Sequence, residues 1–175
     1  MDTENKEKVS LACAVLTVSD SRTAGNDTSG NLLAHSLAHA GHQCVRRDIV
    51  PDNLYQIRRI VSEWIADPEV QVILTSGGTG FSPRNSTPEA IRVLFDKEID
   101  GFGELFRQLS YAEIGSSTVQ SRAIAGYAND TLIFCMPGSN SACQTAWDGI
   151  IREQLDSDQK PCNFATQFRR RDAEE

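Results

Sequence analysis

Short apolar runs alternate along the chain with stretches whose apolar residues recur at helical spacing, and this restricts it to α/β architectures. Leu11 to Ser19 is an almost unbroken apolar run of strand length. A polar loop, 20–28, follows. Leu32, Leu33, Leu37 and Ala40 then repeat with helical period across 29–40, and Gly41 is a stop residue. A second strand is expected over 44–50. Pro51-Asp52-Asn53 breaks it and caps a helix whose stripe is Ile57, Ile60, Val61, Trp64 and Ile65. A third strand is expected over 70–75. Strands separated by helices of this length form βαβ units with a parallel sheet. Further on, Thr87 is the expected N-cap and Pro88 the first residue of a helix. Phe102, Leu105, Phe106 and Leu109 mark another helix. Segments 123–127 and 131–136 flank Asn129-Asp130 as a hairpin, and a last helix is expected over 142–155.

The 175 residues suit one such domain, and no apolar run approaches the ~20 residues a bilayer span needs. The charged start lacks the layout of a secretory signal, so the cytoplasm is the expected compartment. A net charge of −7 argues against nucleic acid as a partner, because that binding needs basic surface. An anionic ligand would have to be held by local dipoles and a few Arg or Lys. Arg169-Arg170-Arg171, beside Asp172, Glu174 and Glu175, reads as a solvated end. Five cysteines, an odd count without CxxC spacing, argue against a disulfide framework and a zinc knuckle, and Cys13 and Cys135 sit in strand-like runs as small core residues. His35 and His39, four apart on the first helix, could make half a metal site, but no acidic or Cys partner completes it.

Three polar junctions could carry chemistry. Gly77-Gly78-Thr79-Gly80 follows the third strand. Glycines there let backbone approach a ligand, and exposed N–H groups form an anion nest, with Ser76, Thr79 and Arg84 adding polar groups. The motif alone is equally a tight turn, and it matches neither the P-loop nor the dinucleotide fingerprint. Met136-Pro-Gly-Ser139 is a second strand-to-helix junction, and Thr17-Val-Ser-Asp20 with Thr28-Ser-Gly30 is a third. Each is explicable as capping. Together they fall at the carboxyl edge of one sheet, where open α/β folds gather ligands. Asp20, Asp27 and Asp52 lie at strand ends or in adjoining loops, the usual placement for holding Mg²⁺ beside a nucleotide. Glu104 near a helix start is explained by dipole compensation.

In order along the chain, Thr17-Val-Ser-Asp-Ser-Arg22, Asp27-Thr-Ser-Gly30, Thr75-Ser-Gly-Gly-Thr-Gly80, Thr87-Pro-Glu-Ala90, Gly101-Phe-Gly-Glu104, Gln120-Ser-Arg122 and Met136-Pro-Gly-Ser139 resemble the MoaB/MogA proteins of molybdenum cofactor biosynthesis. The segments 106–115, Thr145-Ala-Trp147 and Pro161-Cys-Asn-Phe164 resemble the MoaB branch in particular. The resemblance covers 9–164 as one domain and leaves 1–8 and 165–175 as polar tails. It implies a three-layer α/β sandwich with a mainly parallel central sheet, assembled as a homotrimer or homohexamer. Active members of the family resemble an adenylyltransferase, in which the terminal phosphate of molybdopterin attacks the α-phosphate of Mg-ATP. Carried over by position, Gly77, Gly78, Thr79 and Gly80 would line the ligand pocket. Ser19, Asp20, Ser29, Ser121, Pro137, Gly138 and Ser139 would border it. Asp52 and Glu104 would match acidic functional positions, with Asp52 the expected metal ligand. One departure stands out. Active members carry an Asp where this chain has Asn85, which is neutral and cannot act as a base. Two functions therefore stay open: an Mg-ATP-dependent molybdopterin adenylyltransferase, or a paralogue that binds molybdopterin without that chemistry.

Overall fold

The structure, a computed structural model, describes residues 7–172 and side chains as far as Phe168. Residues 1–6 and 173–175 of the expected tails, and the Arg169-Arg170-Arg171 side chains, lie outside the described residues. Strands β1 (Ala12–Val18), β2 (Gln43–Val50) and β3 (Val72–Ser76) alternate with helices α1 (Thr28–His39) and α2 (Leu54–Ala66). Then come α3 (Thr87–Ile91), the two-residue strand β4 (Lys97–Glu98), α4 (Asp100–Ile114), β5 (Ile124–Ala128), β6 (Thr131–Met136) and α5 (Asn140–Ala146). The sheet order is β2-β1-β3-β6-β5-β4. β2, β1, β3 and β6 run parallel, and β5 is antiparallel to both of its neighbours, β6 and β4.

The β period of two splits each central strand between two cores. Cys13 and Val15 face a cluster with Leu33, Leu37, Phe106, Phe134 and Trp147. Ala14 and Leu16 face another, with Ile57, Val61, Trp64 and Ile133. Helices therefore cover both faces, giving the three layers the resemblance implied. The hairpin between β5 and β6 turns on Asn129 and Asp130, with φ of 45° and 67°. Both are left-handed, as a two-residue hairpin turn requires, and Asn and Asp tolerate this better than other non-glycine residues.

Some expectations shift. The last helix does not run evenly from 142 to 155: α5 begins at Asn140, a π-helical turn spans Trp147–Ile151, and α6 covers only Arg152–Gln154. The chain beyond 164 is not a tail throughout. Helix α7 (Ala165–Asp172) sets Ala165 and Phe168 into the first core. Lys8 pairs with Asp156 at 2.9 Å. His35 and His39 are exposed, and among the described residues no group of three His, Cys, Asp or Glu side chains converges on a metal position. Cys13 and Cys135 are buried as expected.

Candidate functional site

The three junctions meet at the carboxyl edge of β1, β3 and β6. The Gly77 N–H donates to the Met136 carbonyl at 3.0 Å. A Cβ on Gly138 would lie 3.2 Å from the Gly77 Cα, and one on Gly77 would lie 2.1 Å from the Val18 carbonyl oxygen. The contact at Gly138 would be tight, and at Gly77 only glycine permits the approach, since its φ is also 102°. The Ser29 hydroxyl lies buried 3.3 Å from that of Ser76.

The junction between β1 and α1 is held by Asp27, which is fully buried. One carboxylate oxygen caps α1 by accepting from the Gly30 N–H, and the other accepts from the Thr17 hydroxyl at 2.8 Å and the Arg47 guanidinium at 3.0 Å. Asp27→Asn must turn its amide N–H against a donor on one side. Because Arg47 is one-third exposed and can regain water, the expected cost is about 2 kcal/mol. A thermal melt should show a midpoint roughly 4–8 °C lower; an unchanged midpoint would remove Asp27 from the site's scaffold.

The loop from Gly77 to Gly80 is asymmetric in its hydrogen bonding. Its four carbonyls are all taken. Gly77 O accepts from the Thr87 hydroxyl at 2.8 Å and Gly78 O from the Thr87 N–H at 3.0 Å. Thr79 O accepts from the Arg122 N–H at 3.0 Å and Gly80 O from Arg122 Nε at 2.9 Å. Among the described residues, the N–H groups of Gly78, Thr79 and Gly80 have no partner. A loop with satisfied acceptors and free donors is polarised toward an anion. Thr87 is thus not the N-cap of α3 but its first residue, and its hydroxyl braces the glycine loop instead.

A cavity of about 240 Å³ opens beside this loop, and Thr79, Gly80, Phe106, Ser121, Pro137 and Ser139 contribute to its walls. The Ser121 hydroxyl is buried there without a partner among the described residues. Ser139 caps α5 by accepting from the Ala142 N–H at 3.2 Å. Cys143 donates to the Pro137 carbonyl at 3.4 Å, and burial pushes its thiol up to about 12. It is therefore no nucleophile at neutral pH.

The acidic residues are arranged differently from expectation. Asp52 accepts from the Ser86 N–H at 3.0 Å and the Ser86 hydroxyl at 2.8 Å on one oxygen, and from the Asn85 amide at 3.1 Å on the other. The Asn85 carbonyl oxygen in turn accepts from the Ser82 N–H at 3.1 Å. Asp20 takes a two-pronged bond from Arg84, both contacts 2.9 Å, and accepts from the Asp52 N–H at 3.1 Å. The Arg84 bond holds the Asp20 carboxyl below the usual carboxylate range. Ser19 is used locally, its hydroxyl accepting from the N–H groups of Ser21 and Arg22.

These residues do not fit a resident divalent cation. Asp52 has one of about four lone-pair sites left, Asp20 is neutralised by Arg84, and Asn85 presents its N–H, not its oxygen, toward Asp52. Glu104 is not brought to Asp52 at all. It is exposed on α4 and lines a separate cavity of about 410 Å³ with Arg92 and Arg107, which touches the first only at Ser121. A cavity of about 890 Å³ is lined by His35, His39 and His42, and none of the expected site residues contributes to it.

Sequence reasoning missed the bracing role of Thr87 and Arg122. Arg122 appeared only as the end of a short motif, and nothing near it in the chain announces bonds to residues 79, 80 and 85.

Comparisons with known proteins point to one family. The model of the family described as "Probable molybdopterin binding domain" matches residues 14–157. Molybdenum cofactor biosynthesis protein B of Escherichia coli (strain K12) is 53% identical over 164 residues, 94% of this chain and 96% of that protein. A crystal structure of a molybdenum cofactor biosynthesis protein B superposes with a TM-score of 0.82 at 44% identity, covering 84% of this chain and 92% of that one. The tungsten cofactor synthesizing protein MoaB from Pyrococcus furiosus gives a TM-score of 0.74 at 37% identity, covering 81% and 90%. Such identity, sustained over nearly the whole length on both sides and joined to the same three-layer fold, means that this chain belongs to the MoaB/MogA family of molybdenum cofactor biosynthesis proteins.

Proposed function

We propose that this chain binds molybdopterin in molybdenum cofactor biosynthesis and holds it without adenylylating it. The observation that carries the reading is the row of unpartnered amides at Gly78, Thr79 and Gly80, a fixed set of donors for the ligand's phosphate. The buried Ser121 hydroxyl supplies a further polar contact in the adjoining cavity. Asn85 supports the second half of the reading. It ties up Asp52 as a neutral donor where Mg²⁺ would need a carboxylate, and phosphoryl-type transfer depends on that charge compensation.

The test is an equilibrium titration of the purified protein with molybdopterin, followed by addition of ATP and Mg²⁺ with an assay for pyrophosphate. Saturable binding and no pyrophosphate above background are expected. Absence of binding would defeat the reading, and steady pyrophosphate release would replace it by the second one. That second reading, Mg-ATP-dependent adenylylation, is favoured by the adjacency of Asp20 and Asp52 at the rim. A metal arriving with nucleotide needs only one or two carboxylates beside the phosphates.

The reading includes assembly as a homotrimer, with hexamers where trimers pair. Leu105, Tyr111, Ile114 and Val119, on α4 and the turn that follows it, are 40–78% exposed, an apolar surface suited to cover by another copy. It also places the protein in the cytoplasm; among the described residues no helix is long and apolar enough to cross a membrane.

A further inference from the structure

We propose that Phe81 is a stacking platform for the planar heteroaromatic ring of the ligand whose phosphate the neighbouring amides hold. The proposal rests on the anion-cradle reading above and adds the group that recognises the other end of the ligand. Phe81 directly follows the cradle, in the polar segment Gly80-Phe-Ser-Pro-Arg-Asn85, and is 73% exposed. A single exposed aromatic needs no explanation by itself. This one is held in place. The Arg122 guanidinium sits 5.8 Å from its ring centroid, and that guanidinium is itself fixed by Gly80 O at 2.9 Å, Asn85 O at 3.0 Å and the Glu89 carboxylate. One face of the ring is thus supported by an anchored cation, while the high exposure leaves its remaining surface to solvent.

The ring also borders a cavity of about 340 Å³ whose walls include Asn85, Ser86 and Glu89. Flat apolar support beside amide, hydroxyl and carboxylate groups suits a ring carrying amino and carbonyl edges. Such a ring could be the pterin of molybdopterin or the purine of ATP. The geometry assigns the shared chemistry, and the titrations separate the two sources. The same Arg122 bonds the Thr79 and Gly80 carbonyls of the cradle, so one residue ties the platform to the anion site.

The experiment titrates wild type, Phe81→Ala, Phe81→Leu and Phe81→Trp with molybdopterin, with ATP in the absence of Mg²⁺, and with inorganic pyrophosphate as a probe that has no ring. Phe81→Ala and Phe81→Leu should weaken one ring-bearing ligand about tenfold and leave pyrophosphate unchanged. Whichever ligand loses affinity owns the ring. Phe81→Trp should bind within about threefold of wild type, and its added indole should be quenched, since Trp64 and Trp147 are buried. Unchanged affinity of Phe81→Ala for both ring ligands would overturn the proposal. So would full retention by Phe81→Leu, which has apolar bulk but no flat ring. Failure of the cradle reading looks different: wild type would then bind neither molybdopterin nor pyrophosphate.

Discussion

Replacing Gly77 by Ala is expected to destabilise the protein by about 3–5 kcal/mol, lowering its thermal midpoint by roughly 10 °C or more. Two costs combine. Gly77 has φ of 102°, a backbone conformation that an L side chain adopts only with strain. Its Cβ would also fall 2.1 Å from the Val18 carbonyl oxygen, so the ends of β1 and β3 would have to separate. Gly41 provides the control. Its φ is 87°, but nothing lies within 4 Å of a Cβ there, so Gly41→Ala should cost only about 1 kcal/mol. Melting both variants by circular dichroism checks the argument. Equal midpoints would mean that the close approach of the two strand ends is not what holds the rim together.

Asn85→Asp should have the largest effect on chemistry. The substitution replaces the N–H that bonds Asp52 at 3.1 Å by a carboxylate oxygen, placing two negative groups in contact. Without a cation one of them must take up a proton or the loop must open. The introduced group's folded-state pKa is therefore raised above its unfolded value. Its relative stability is present at low pH and is lost as pH rises through that folded value. At neutral pH the variant should be about 1–3 kcal/mol less stable than wild type in chelator, with millimolar Mg²⁺ restoring much of the difference. Wild type, whose carboxylates are already satisfied, should show no comparable shift with Mg²⁺. With molybdopterin and Mg-ATP present, pyrophosphate release should rise by roughly 10²–10⁴ over wild type, while molybdopterin affinity stays within a few fold. Robust wild-type turnover left unchanged by the substitution would show that Asn85 does not restrain the site.

The two substitutions probe different layers of the same rim. Gly77 concerns whether the strand ends can meet, and its effect should appear in stability whatever ligand is present. Asn85 concerns what the assembled rim can do with a cation, so its effect should depend on Mg²⁺. The glycine loop joins the layers, because Thr87 and Arg122 bond its carbonyls while, among the described residues, the amides of Gly78, Thr79 and Gly80 stay unpaired.

Much of this protein is written locally in its sequence. The alternation of apolar runs and helical stripes places β1, α1, β2 and β3 to within two residues and α2 by its stripe, because strand and helix periods act over a few residues. Asn129-Asp130 specifies its hairpin through the φ values those residues accept. The three glycine- and hydroxyl-bearing junctions are legible for the same reason, since each is a strand end followed by a helix start. What the acidic side chains do is not local. Asp20 is joined to Arg84 across 64 positions, Asp52 to Asn85 across 33 and Arg122 to Gly80 across 42. Those partners are chosen by the packing of whole elements, so only the tertiary structure could assign Arg84 to Asp20, close Asp52 behind an amide and set Glu104 apart. Residue spacing fixes which backbone conformations are allowed; which donor reaches which acceptor across the rim depends on where the folded layers bring them.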